Sequence, residues 1–202
     1  YVSGALEEAN LRQLVLAEMK NEGKFCECIR CREVKDNNTI QQTEGFELFV
    51  RHYKASDGDE YFISFETPNN KTIYGFLRLR LSKFAGKNKK TGQIVYKSLL
   101  GSALIRELHV YGKLLTTYDK SNTNSTTKQQ HIGFGTRLMN KAEEIALQHH
   151  YSNIAVIAGV GVRKFYQRLG YQYNEETHMM IKKFKVHFLV QCVHYIKSRK
   201  TH

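Results

Sequence analysis

The spacing of apolar positions predicts a helix near the amino terminus, followed by strands. Apolar residues between positions 11 and 19 recur at helical spacing, with Asn10 as a candidate cap and Gly23 as a candidate stop. In residues 72–81, leucines alternate with Arg78 and Arg80, so these two arginines share one face of a strand. We therefore expect consecutive antiparallel strands, at residues 46–53, 61–67 and 72–81.

The second half of the chain alternates between extended and helical patterns. An extended segment ends at residues 104–111, a polar loop covers 119–129, and a helical period begins at Gly133. A buried strand, a short helix and two closing strands are predicted at 154–158, 162–169, 171–173 and 179–184. This order predicts an α/β fold with a mixed sheet and flanking helices. We expect a helical, cysteine-bearing linker at 1–44, one domain at 45–184, and a tail of unassigned role at 185–202.

The chain is strongly basic, with 31 Lys and Arg against 19 Asp and Glu, a formal charge of +12. Such an excess is either a solvated surface or an attraction to a polyanion such as nucleic acid. No apolar run is long enough to span a membrane, so we expect no membrane partner. The chain begins at Tyr1 and not at Met, so we expect that it was cut from a longer protein or processed.

Three cysteines form a C-x-C-x-x-C cluster at Cys26, Cys28 and Cys31. Their crowding is poor for a disulfide framework and favours a reducing compartment, the cytoplasm or the nucleus. Three thiolates suit tetrahedral zinc if a fourth ligand comes from elsewhere, with His109 considered first and then another histidine or Cys192. An iron–sulfur cluster and metal-free thiols are the alternatives.

A glycine-rich turn, Q-x-x-G-x-G, runs from Gln130 to Gly135 and leads directly into the predicted helix. Glycines allow the backbone to approach a ligand, and the free N–H groups of a helix start attract an anion such as a pyrophosphate. Arg137 can add a charged contact. An ordinary glycine-rich helix entry is the alternative interpretation.

Four sequence segments in order resemble a known family: R-E-L-H-V-Y-G, Q-H-x-G-F-G, I-A-V-I-x-G-V-G and F-Y-x-x-L-G-Y. They are similar to the Gcn5-related (GNAT) acetyltransferases, and more closely to the acetyltransferase domain of the Elongator catalytic subunit family. The resemblance covers about residues 9 to 183. It implies a GNAT fold, acetyl-CoA as cofactor, and tRNA as partner and trigger. The cysteine cluster resembles a linker that carries zinc in some members of that family.

The resemblance also implies residue roles. The segment lining the thioester arm of acetyl-CoA matches Glu107, Leu108, His109 and Val110. The pyrophosphate turn matches Ile132, Gly133, Phe134 and Gly135, although the family usually has Gln or Arg at the position of Ile132. Tyr166 matches the second member of an aromatic pair that contacts acetyl-CoA, and Phe165 stands where Tyr is more usual.

Three side chains are candidates for proton transfer. Tyr166 can protonate the departing CoA thiolate, or it can only pack beneath the cofactor. Glu107 and His109, two residues apart on a predicted strand, share a face and are candidate general bases. A structural salt bridge for Glu107 and a buried, hydrogen-bonded role for His109 are the alternatives.

Several basic residues are candidates for following an RNA backbone: Arg30, Arg32, Lys35, Arg78 and Arg80, with a lysine cluster at 83–90. The C-x4-C-x2-C motif of the family's radical S-adenosylmethionine domain is absent from the sequence, so its iron–sulfur cluster and S-adenosylmethionine are expected only in a separate domain. Other Elongator subunits are further expected partners. Two rival functions are a histone or protein lysine acetyltransferase and a catalytically idle tRNA-binding module.

Overall fold

The computed structural model describes residues 10–34, 45–111 and 133–184. At the amino terminus, α1 spans Leu11–Asn21, as predicted, and Gly23 follows it with a positive φ of 69°. The side chain of Asn10 makes no capping hydrogen bond, and no residue of α1 is buried. A four-residue helix, α2, covers Ile29–Arg32 within the cysteine segment. The predicted loop at 119–129 and the tail lie outside the described residues.

A seven-stranded mixed sheet forms the body of the protein, as the sequence predicts. In sheet order β1-β2-β3-β4-β5-β7-β6, neighbours are antiparallel except β4 and β5, which are parallel. The strands are β1 Glu47–Ala55, β2 Gly58–Glu66, β3 Ile73–Leu81, β4 Ser102–Val110, β5 Asn153–Ile157, β6 Gln172–Asn174 and β7 Met179–Lys183. Two helices, α3 Phe134–Gln148 and α4 Arg163–Arg168, and two 3-10 turns, Lys97–Leu99 and Val160–Val162, complete the described elements.

The main core lies between α3 and one face of the sheet. Apolar residues of α3 recur at helical spacing and are buried, among them Leu138, Met139 and Ala142. They pack with alternate residues of the central strands, such as Ile63 and Leu77. Fully burying an aliphatic side chain of this size contributes about 1.5–3 kcal/mol. This packing fixes where α3 begins relative to the ends of β4 and β5.

Candidate functional site

Strand β4 leaves its parallel neighbour β5 halfway along its length. Residues Ser102 to Ile105 pair with Asn153 to Val156, whereas on its other side β4 continues to pair with β3 as far as Val110. A register shift in that second pairing leaves Arg106 as an extra residue. Among the described residues, no strand covers the β5 side of β4 beyond Ile105. Within the described ranges, the peptide groups of this part of β4 have no strand partner on that side and can bind a ligand.

The glycine-rich turn lies beside this open edge. Gly133 precedes α3 with a φ of 101°, a conformation that favours glycine. The first turn of α3 has no side-chain cap and no acidic residue, so its positive end is available to an anion. A Cβ added at Gly135 would lie 3.3 Å from Cζ of Phe165 and 3.7 Å from Cγ2 of Val110. The turn, the end of β4 and α4 therefore meet at one place. Ile132 lies outside the described residues.

Tyr166 is buried beside this junction, with 5% of its surface exposed. Its ring centroid lies 5.1 Å from that of Phe165 and 5.9 Å from that of Tyr171, both in edge-to-face arrangements. Burial raises the pKa of Tyr166, so its hydroxyl stays protonated at neutral pH. The position is compatible with the proton-donor role and equally with a packing role.

Exposed aliphatic side chains lie around the same sheet edge. Val110 ends β4 and Ile157 ends β5, and because these strands are parallel the two residues lie at the same edge. Val160 and Val162 follow in the 3-10 turn, and all four side chains are exposed. The sequence predicts a buried strand at 154–158, and the exposure of Ile157 shows that this strand is buried only in part. These residues offer an apolar surface to a ligand's aliphatic chain.

Glu107 and His109 share a face of β4, as their spacing predicts. Oε1 of Glu107 lies 3.0 Å from Nε2 of His109, and Oε2 lies 3.4 Å from Nε of Arg78 on β3. The imidazole of His109 is exposed and stacks on Phe76, with ring centroids 5.4 Å apart. A carboxylate that accepts from an imidazole can hold it in one orientation. Both the general-base and the salt-bridge interpretations of Glu107 are compatible with this geometry.

The structure brings the three cysteines together. The Sγ atoms of Cys26, Cys28 and Cys31 all lie within 4.8 Å of one another. Arg12 of α1 donates to Cys31 Sγ at 3.0 Å and to Cys28 Sγ at 3.5 Å. The hydrogen bond from Arg12, first among several, lowers the pKa of Cys28 to about 6. Zinc bonds thiolates at about 2.3 Å in tetrahedral sites, and a guanidinium offsets the negative charge of three thiolates around one Zn²⁺. The residues therefore fit a zinc ion.

His109, the first candidate for a fourth ligand, does not join the cysteines. Within the described ranges, the group with metal-ligand spacing consists of three cysteines and contains no histidine. The imidazole of His109 instead contacts Glu107, because β4 carries both side chains on the sheet face. Cys192 lies outside the described residues. Arg12 next to the sulfurs is a feature that sequence reasoning missed, since no spacing links α1 to the cluster.

The cysteine segment is attached to the sheet just after its last cysteine. Arg32 donates to Oε2 of Glu66 at 2.9 Å and to the carbonyl of Asn70 at 2.7 Å. The carboxylate of Glu66 is fully buried and also accepts from Arg51 at 2.6 Å and 3.1 Å. The N–H of Val34 donates to the carbonyl of Ile73 at 3.0 Å. These contacts fix the cluster beside the start of β3, next to the end of β4.

The arginines predicted to contact nucleic acid fall into separate groups. The guanidiniums of Arg32 and Arg80 bind Glu66 and Glu60, and each side chain is only 19% exposed. They are structural because their donors are used within the sheet. Arg30 is exposed, Arg78 lies beside Glu107, and Lys35 lies outside the described residues. Arg137, expected near a phosphate, is exposed and places its guanidinium 4.5 Å from the centroid of the Phe65 ring.

Comparisons with known proteins agree with this geometry. Elongator complex protein 3 of Drosophila melanogaster is 41% identical over 176 residues, 85% of this chain and 30% of the relative. The protein of the same name from Saccharomyces cerevisiae is 39% identical over 176 residues, with the same coverage. The solved structure of Methanocaldococcus infernus Elp3 with an amino-terminal deletion has a TM-score of 0.65 at 33% identity, covering 88% of this chain and 40% of that one. No protein-family model matches the chain.

The strand order, the parting of β4 from β5 and the glycine turn at α3 define the GNAT acetyltransferase fold. Within that class, the chain is a homologue of Elongator complex protein 3. It spans about 30% of the length of those relatives. Among the helices that the structure describes, none is both long and apolar enough to cross a membrane.

Proposed function

We propose that this chain is the acetyl-CoA-dependent acetyltransferase domain of an Elongator-like tRNA uridine-modifying enzyme, with tRNA as the trigger for acetyl-CoA cleavage. One observation carries the proposal. The open edge of β4, the uncapped start of α3 and the ring of Phe165 meet around Gly135, within 3.7 Å of a Cβ placed there. This junction offers peptide groups to a thioester and N–H groups to a pyrophosphate.

In this proposal, each element has a defined task. The first turn of α3, with Gly133 and Gly135, holds the pyrophosphate, and the aliphatic rim from Ile157 to Val162 contacts the pantetheine chain. The open edge of β4 from Glu107 to Val110 orients the thioester and polarises its carbonyl. Acetyl-CoA supplies the activated acetyl group.

The proton transfers are assigned to two sites. Glu107, held by Arg78 and His109, takes a proton from the attacking water or acceptor. As the C–S bond breaks, Tyr166 gives its phenolic proton to the departing sulfur and is later reprotonated from solvent. Burial keeps that phenol protonated until the thiolate forms. The acetyl group leaves on the acceptor, or as acetate when water attacks.

The cysteine cluster is proposed to hold one zinc ion as a structural site. Its ligands would be Cys26, Cys28 and Cys31 with a fourth that the described residues do not supply, and Arg12 would bind two of the sulfurs from outside. An ion there would rigidify the segment that Arg32 fastens to the sheet.

We expect about one zinc per chain in protein purified without added metal, measured by plasma mass spectrometry. Cys28→Ser removes one of three thiolates and should reduce zinc to a small fraction of that value. Arg12→Gln keeps every sulfur, so it should retain zinc but lose it about 10-fold faster to a chelator. Iron with acid-labile sulfide would support the cluster alternative, and metal-free protein would refute the zinc site.

The lysine acetyltransferase alternative is less compatible with the charge. A chain at +12 repels a basic histone-like tail and attracts tRNA.

The proposed function also includes the domain boundaries predicted from the sequence, at 1–44, 45–184 and 185–202. The same proposal includes two kinds of partner, a separate radical S-adenosylmethionine domain and other Elongator subunits. Most of each relative lies outside the region that this chain matches.

The deciding experiment measures free thiol released from acetyl-CoA by the purified chain at low salt, with and without unmodified tRNA. We expect release that increases severalfold with tRNA and loses this increase as salt is raised. Acetylation of a histone peptide at a comparable rate would favour the first rival. Tight tRNA binding with no measurable acetyl-CoA binding would favour the idle module.

A further inference from the structure

The sheet face that turns away from α3 carries aromatic rings and guanidinium groups. The strand registers place Arg51 opposite Phe62, Phe62 opposite Arg78, and Phe76 opposite His109. Directly opposed residues point to the same side of a sheet, so these side chains share one face across four strands. Together with the extra residue of β4, they form what we call the arginine–aromatic face: Arg51, Phe62, Phe76, Arg78, Arg106 and His109.

The rings of this face form a stacked row. Phe62 and Phe76 have centroids 5.2 Å apart at 24°, and Phe76 and His109 are 5.4 Å apart at 30°. Tyr111 lies beside both of the last two rings, 6.3 Å from His109 at 16° and 6.2 Å from Phe76 at 42°. The side chain of His109 is 54% exposed and lies where β4 has left β5, so a planar group can stack on it from solvent. Nucleobases stack on aromatic side chains in this way whatever their sequence.

On the arginine–aromatic face, positive groups are exposed and two of their negative partners are buried beneath them. The guanidiniums reach solvent, with side-chain exposures of 42% for Arg51, 37% for Arg78 and 54% for Arg106. Two of the carboxylates that pair with them are buried beneath, at 2% for Glu60 and 0% for Glu66. The third carboxylate, Glu107, pairs with Arg78 and His109 and is 34% exposed. A ligand arriving from solvent therefore meets cations first above Glu60 and Glu66, and one carboxylate beside His109. This arrangement suits a polyanion and repels a lysine side chain.

We propose that the arginine–aromatic face binds a single-stranded segment of nucleic acid, with an unpaired base stacked on His109 and backbone phosphates on Arg78 and Arg106. The inference rests on the proposed function and deepens it by locating the contact. An unpaired nucleotide bound there lies next to Glu107, whose carboxylate is 3.0 Å from the imidazole of His109. A duplex cannot use the stacking surface, because its bases are already stacked on each other.

The first test compares the effect on nucleic-acid binding of removing one positive charge from each face of the sheet. We would measure binding of fluorescent single-stranded and duplex oligonucleotides of equal length, without acetyl-CoA, from 50 to 200 mM salt. Arg106→Gln removes one phosphate contact while Arg80 still holds Glu60 at 2.6 Å, so the salt slope should fall by about 0.7 for a single strand. Lys54 of β1 lies on the other face of the sheet, opposite to the arginine–aromatic face. Lys54→Gln therefore removes one positive charge outside the proposed binding surface and should leave the salt slope unchanged. Equal effects of the two variants would overturn the proposal.

The second test isolates stacking. His109→Ala should weaken single-strand binding about tenfold, and His109→Phe, which keeps an aromatic ring, should restore most of it. A strand containing 2-aminopurine should lose fluorescence on binding to the parent chain and to His109→Phe only. If both variants bind like the parent, or duplex binds as tightly as single strand, the proposal fails. Acetyl-CoA binding measured on the same samples shows whether the proposed function fails with it.

Discussion

Replacing Tyr166 with Phe is expected to slow thiol release from acetyl-CoA about 100-fold, or about 2.7 kcal/mol in activation free energy, while acetyl-CoA binding changes less than threefold. The ring contacts with Phe165 and Tyr171 survive in the variant, so only the proton donor is lost. The rate should be measured under saturating acetyl-CoA with tRNA present. Binding should be measured separately by calorimetry.

Tyr171→Phe is the matched control, because it removes the hydroxyl of a neighbouring buried tyrosine. That hydroxyl donates to Oε1 of Glu143 at 3.0 Å, and Glu143 keeps Lys182 at 2.6 Å. The control should lose about 1 kcal/mol of unfolding free energy and retain the parent turnover per folded molecule. If Tyr166→Phe turns over at the parent rate, Tyr166 only packs beneath the cofactor and the donor is another group.

Local patterns were enough to predict most elements of this fold. The amphipathic period after Gly133 predicted α3, and the alternation of leucines with Arg78 and Arg80 predicted the faces of β3. Both signals are periodic and arise within one element, so no tertiary information is needed to read them. The departure of β4 from β5 is different, because it depends on how many residues two distant segments pair.

The roles of the arginines show the same limit. Arg32 and Arg80 are of a residue type that is common on nucleic-acid-binding surfaces. In the structure, however, Arg32 donates to the buried carboxylate of Glu66, and Arg80 donates to that of Glu60. The partners are 34 and 20 residues away in sequence, and no spacing rule connects them. Exposure therefore decides between a structural and a binding arginine, and only the fold supplies it. Arg106 was not singled out in the sequence, although it is the most exposed arginine of the arginine–aromatic face.

Gly135→Glu is expected to weaken acetyl-CoA binding about 100-fold or more, by two physical effects. A Cβ at this position would lie 3.3 Å from the ring of Phe165, so a longer side chain must displace α4 or enter the ligand space. Its carboxylate would lie in the first turn of α3, where it takes the place of the bound anion at the positive helix end. Isothermal calorimetry with acetyl-CoA checks the prediction, and circular dichroism checks the fold.

Asn140→Glu adds the same charge to an exposed position of α3 beyond its first turn, where the helix-end effect has decayed. It should bind acetyl-CoA within about twofold of the parent chain. Gly135→Ala adds only the Cβ, and because the Phe165 ring can move by a few tenths of an ångström, its affinity should fall between those of the parent and Gly135→Glu. If Gly135→Glu remains folded and binds acetyl-CoA as tightly as Asn140→Glu, the pyrophosphate does not lie at this turn. The cofactor would then have to enter from another edge of the sheet.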